Sequence, residues 1–132
     1  MIKIVADTNI IISAALSPNG NPAKIIALIP NKNEIQIYYN ADILAEYSDV
    51  LSRPRMNISA EIQMRIIGAI INSGISIEPV KSSISMLDES DRIFYDAAKA
   101  SGAILVTGNN KHYPTEPFIM TPANFLNLFQ NA

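Results

Sequence analysis

Hydrophobic positions change period within the first sixteen residues, MIKIVADTNIIISAAL. Residues 2 to 6 (IKIVA) are apolar apart from Lys3 and read as a buried strand, whereas TNIIISAALS has the apolar density of a packed helix until SPNGNP breaks it. Asp7 stands at the switch. Further on, NPAKIIALIP predicts a short helix with Asn21 as cap, Pro22 at its first position and Pro30 closing it. EIQIYYN alternates and is rich in β-branched and aromatic residues, the signature of a second strand.

In ADILAEYSDVLSR the residues Ile43, Leu44, Tyr47, Val50 and Leu51 share one side, so a third helix follows. SAEIQMRIIGAIINSG gives a fourth, capped by Ser59 and stopped by Gly74. ISIEPV reads as a short strand, DESDRIFYDAAKASG as a fifth helix, AILVTG as a strand, and PFIMTP as a weak last strand before a closing helix, ANFLNLF. Strands that alternate with helices and run as continuous Val/Ile stretches predict an α/β fold: a three-layer α/β/α sandwich on a mainly parallel sheet of four to five strands. No repeat or linker divides the chain, which predicts a single domain over residues 1–132.

Composition narrows the chemistry. The chain has 132 residues, 48% of them hydrophobic, which is enough for a packed core and excludes a disordered tail. Ten basic and twelve acidic side chains give a net charge of −2, so a nucleic acid or anionic membrane would be met by a local patch and not by a global field. With no cysteine there is neither a disulfide framework nor a thiolate metal site, which fits a reducing, cytoplasmic setting. Lys3 and Asp7 interrupt the N-terminal apolar run, unlike a signal peptide, and no segment is apolar for long enough to cross a bilayer.

Three acids deserve weighing. In an open parallel sheet, ligands bind beyond the carboxyl ends of the strands, and Asp7 lies at such an end. A simple helix cap is the plainer reading of Asp7 taken alone. Glu46 lies three residues after Ile43 and four before Val50, at the margin of the apolar stripe, while Asp42 and Asp49 project toward solvent. A solvated face remains the plainer reading for Glu46 as well. Asp88, Glu89, Asp91 and Asp96 crowd the fifth helix, where dipole stabilisation alone would favour acids. Asp91 lines up with Phe94 and Ala98 at the stripe's edge, and Asp96 is rotated away from it.

The stretches VADTNIIISAAL, ILAEYSDVL and DRIFYDAAKASGAILVTGNNKHYP, in that order and spacing, resemble a PIN domain of the bacterial and archaeal group described as toxin components of toxin–antitoxin pairs. The resemblance spans essentially the whole chain. It implies a metal-dependent ribonuclease in which Asp7, Glu46 and Asp91 hold Mg²⁺ or Mn²⁺, hard cations that sit roughly 2.1 Å from oxygen ligands. Around the acids, Thr8 and Asn9 are candidates to cap the helix and orient Asp7, and Thr107 and Asn109 to hold a metal-bound water or a phosphate oxygen, with ordinary turn and cap chemistry as the alternative. RNA is the implied substrate, a cognate antitoxin the implied protein partner, and a homodimer the implied assembly, with IQMRIIGAII either a contact surface or ordinary core.

One position departs from the family. Many members carry a further aspartate where this chain has Asn109 or, three residues on, His112. A lost charge there weakens a second metal, and leaves a scaffold that binds RNA or a protein without cleaving as the alternative function. His112 is a candidate ligand or RNA contact, or a plain surface residue. Arg53, Arg55 and Lys111 are candidate phosphate contacts, and Tyr38, Tyr39 and Tyr113 candidate stacking platforms, against surface charge and core packing respectively. A haloacid-dehalogenase-like phosphatase needs a second acid at position 9, where Asn9 stands, and a receiver domain needs paired acids near its start; neither pattern is present.

Overall fold

The computed structural model describes residues 1–131. Five strands, β1 (Ile2–Ala6), β2 (Ile35–Tyr39), β3 (Ile75–Ser76), β4 (Ile104–Val106) and β5 (Ile119–Met120), form one sheet in the order β3-β2-β1-β4-β5. Every pairing is parallel. Central β1 puts Ile4 opposite both Ile37 and Ile104, and Val5 opposite Leu105. Ile4, Val5 and Ala6 are all fully buried although their side chains alternate between faces. Both faces of the sheet are therefore covered, as the unbroken apolar runs predicted.

Six α-helices do the covering: α1 (Thr8–Leu16), α2 (Asn21–Leu28), α3 (Ala41–Leu51), α4 (Ala60–Ser73), α5 (Arg92–Ser101) and α6 (Pro122–Gln130). The helix ends follow local chemistry. Asn40 caps α3 by accepting from the Ile43 amide at 2.9 Å, and Ser59 caps α4 by accepting from Ile62 at 3.2 Å. Gly102 ends α5 at φ 70°, a left-handed conformation open to glycine. Ile66 and Ile70 of α4 enter the core, whereas Met64 and Ile71 remain on the outside, so IQMRIIGAII is core on one side only.

Several boundaries differ from the predicted ones. The α2 cap is Gly20, with Pro22 at the second helical position, because the chain turns one residue earlier than Asn21. The strands predicted over ISIEPV, AILVTG and PFIMTP shorten to β3, β4 and β5; for β3 and β5 the reason is that an edge strand has a pairing neighbour on one side only. Residues 77–88 then run without regular structure, and a 3₁₀ turn, Glu89–Asp91, precedes α5.

Two glycines make opposite demands. A Cβ on Gly74 would lie 2.5 Å from the Ile70 carbonyl oxygen and 2.8 Å from the Tyr39 ring, whereas one on Gly68, in the middle of α4, would meet nothing within 4 Å. Gly74→Ala is expected to cost about 1–3 kcal/mol through overpacking. Gly68→Ala is expected to gain about 1 kcal/mol through helix propensity. Urea unfolding of the two variants checks both signs.

Candidate functional site

Asp7 follows the last residue of β1 and is 6% exposed. Its backbone occupies the cap position of α1, yet its side chain makes no capping hydrogen bond. The carboxylate instead accepts two hydroxyls on Oδ2, from Thr107 at 2.8 Å and Tyr113 at 2.9 Å. Both donors lie beyond the end of β4, which pairs with β1 and accepts the Asp7 amide at Val106 (3.0 Å). A buried anion is costly without such donors, and this pair compensates it from the neighbouring strand's loop. Asn9 tightens the same junction: its side-chain oxygen accepts the Gly108 amide at 2.9 Å while its amide donates to Thr107 at 3.3 Å.

Glu46 and Asp91 are half-buried and reach this end of the sheet from α3 and from the turn before α5. Tyr47, beside Glu46, is fully buried and donates its hydroxyl to the Ala6 carbonyl, pinning α3 to the end of β1. Its ring lies 6.2 Å from that of Phe94, tying α3 to α5. Burial and the charges of Asp7, Asp88 and Glu46 push the Asp91 carboxyl up from an ordinary 3.8 to about 6, with His112 pulling in the opposite direction. Burial first and Asp7 second hold the Tyr113 phenol far above its ordinary range, so it remains a donor. The donor set consists of carboxylate oxygens, which suits a hard divalent cation. Among the described residues, however, no three His, Asp or Glu side chains stand in ready metal-ligating geometry.

The structure reassigns several candidates. Thr107 is fully buried and its hydroxyl is given to Asp7, so it orients the acid and does not face solvent or a phosphate. Asn109 is exposed, and its amide donates to the Thr107 hydroxyl at 3.0 Å. His112 is exposed, at the end of a 3₁₀ turn. Arg53 is paired with Asp49 at 2.9 Å on the surface. Tyr113, a candidate for stacking, is instead a buried partner of Asp7.

Two further residues gave no clear signal in the sequence. Arg92, next to Asp91, is 9% exposed and spends all five of its guanidinium N–H donors: two on Glu89, two on Ser82 and one on the Ile84 carbonyl. Asp96, which helical rotation alone placed away from the site, is buried and accepts the Ser82 amide at 3.1 Å. Together they fasten residues 82–89 onto α5. An arginine beside an acidic cluster was the available hint, but the extended segment that it binds has no periodic pattern to reveal it.

Tyr113→Phe is expected to cost about 1–2 kcal/mol in urea unfolding, because a buried carboxylate oxygen loses one of its two donors. The sign for Asp91 is the reverse. Its folded pKa lies above the unfolded one, so the folded state binds the extra proton; stability is full below about pH 4 and declines as pH rises toward 6. Asp91→Asn is therefore expected to raise the melting temperature of metal-free protein at pH 7, with the gain disappearing below pH 4 in a thermal-melt series.

The family model for the PIN domain matches residues 3–111, which carry all three acids. A relative described as uncharacterized protein MJ1680, from Methanocaldococcus jannaschii, is 34% identical over 111 residues, spanning 82% of this chain and 71% of the relative. PIN domains are generally nucleases that use divalent metal ions. With a five-stranded parallel sheet, Asp7 at the end of its central strand and a family match over most of its length, the chain belongs to the PIN-domain family.

Proposed function

We propose that this protein is a metal-dependent endoribonuclease hydrolysing RNA phosphodiester bonds, with Asp7, Glu46 and Asp91 as the residues that hold Mg²⁺ or Mn²⁺. The observation that supports this reading is the buried Asp7 carboxylate at the end of the central strand, held by Thr107 and Tyr113 through one oxygen only, in a chain of the PIN-domain family. Acids from three separate segments repel one another at a sheet edge, and a cation would offset that repulsion. A divalent ion bound there supplies a Lewis acid and lowers the pKa of a water.

The chain's own residues supply the rest. Tyr113 and Thr107 fix Asp7 by its Oδ2 and leave Oδ1 without a protein donor among the described residues. Asn9 holds the Gly108 turn against the acid. Asn109 presents a neutral amide where the family resemblance implies a further acid, so a second ion would be held weakly there.

On the same reading the protein is a cytoplasmic toxin, held in check by an antitoxin segment that occludes the acids, and self-associates as a homodimer. Among the described residues no helix is long and apolar enough to cross a membrane. A second reading, a non-cleaving PIN scaffold, draws on Asn109 and His112 in place of a fourth acid and on the absence of ready ligating geometry.

Cleavage of RNA in Mn²⁺ separates the two. Ligand-supporting residues alone are commonly worth 10–100-fold, so Asp7→Asn is expected to lower the rate by roughly a hundredfold or more. Mn²⁺ at a hundred times its dissociation constant is expected to stabilise the wild type by about 2.7 kcal/mol, a gain that Asp7→Asn should lose. Wild-type protein that binds RNA without cutting it in Mn²⁺ would leave the scaffold.

A further inference from the structure

An open groove of about 450 Å³ is lined by Met86 and Leu87 from the segment before α5 and by Lys111, His112 and Tyr113 from the turn after β4. Tyr113 joins groove and acids directly, since its hydroxyl is the one on Asp7. His112 is near enough that its charge lowers both Asp88 and Asp91. Among the described residues neither Lys111 nor His112 forms an ion pair, as is true also of Lys3, Lys24, Lys32, Arg55 and Lys81. One uncommitted cation, Lys111, and one further N–H donor, His112, thus border a cluster of carboxylates in a chain of net charge −2.

The side formed by Met86 and Leu87 is apolar and fixed. Leu87 is 79% exposed, an expensive placement for a large hydrophobic side chain. Its segment is nevertheless held, because Arg92 binds Ser82, Ile84 and Glu89 on either side of Met86 and Leu87. Ile84 and Met86 rest against the core. A wall built in advance loses little entropy when something settles on it.

We propose that this groove seats a nucleotide of single-stranded RNA next to the bond being cut, its phosphate on Lys111 and His112 and its base against Met86 and Leu87. The inference deepens the ribonuclease reading and rests on it for the identity of the ligand. Phosphate pairs with the Lys111 ammonium and accepts from the His112 imidazole, and an unstacked base offers a π-face to an apolar surface and to the polarizable Met86 thioether. In a duplex the bases are stacked on one another and that wall has nothing to receive, so single strands are preferred.

Anisotropy of a fluorescein-labelled single-stranded oligoribonucleotide tests this on the full chain in Ca²⁺, with cleavage followed separately in Mn²⁺. Lys111→Ala/His112→Ala is expected to weaken binding by about fivefold or more and to lower the slope of log K against log salt by about 0.7 for each phosphate no longer neutralised. Leu87→Ala, at an exposed position that need not disturb folding, is expected to weaken binding severalfold with the salt slope unchanged. Wild-type preference for single strand over duplex should shrink in the same variants.

Binding that is lost in the variants while the wild type cuts nothing would keep the groove and sink the nuclease. Cleavage with binding indifferent to all three residues would keep the nuclease and overturn the groove. Failure of the wild type to bind single-stranded RNA overturns it as well. So would self-association weakened by these substitutions with RNA binding intact, which assigns the groove to a second copy.

Discussion

The architecture depends on one buried anion. Asp7 follows three consecutive buried residues of β1 and stays buried itself, at a place where, among the described residues, its carboxylate is hydrogen-bonded by hydroxyls on a different strand's loop. That requirement couples distant parts of the chain: Thr107 and Tyr113 are 100 and 106 residues away in sequence. Once β1 and β4 are in register, the donors arrive together, and Tyr47 brings α3 to the adjoining Ala6 carbonyl. The acid is therefore a positional anchor before any ion or substrate is considered.

Sequence patterns reveal the parts of this arrangement that are periodic or local. The switch at Asp7, the caps at Ser59 and Gly74, the marginal place of Glu46 and the parallel sheet are all legible, because each follows from apolar spacing or from a short-range backbone requirement. Tyr113 is not. In NNKHYP it looks like a loop aromatic, and only the pairing of β1 with β4 turns it inward onto a carboxylate. Asp96 escapes for a related reason: helical rotation fixes its direction relative to Asp91 but says nothing of the extended chain that buries it. The role of the Thr107 hydroxyl is likewise hidden, because its acceptor is 100 residues away.

Arg92 shows how an irregular segment is made rigid without a helix or a strand. Residues 77–88 have backbone groups that need partners, and a guanidinium with a planar fork of five donors supplies several at once. Lysine at that position would offer a compact point charge and lose the fork. The same residue that secures the segment sits next to Asp91, so the order of the acidic rim and the order of the adjoining wall share one support.

The sheet ends on both sides in strands only two residues long, Ile75–Ser76 and Ile119–Met120. A flank that short gives another chain almost no ladder on which to align. A protein with 48% hydrophobic residues and a net charge of only −2 has little electrostatic protection against clumping, so this brevity at the margins works as its safeguard against strand-by-strand aggregation.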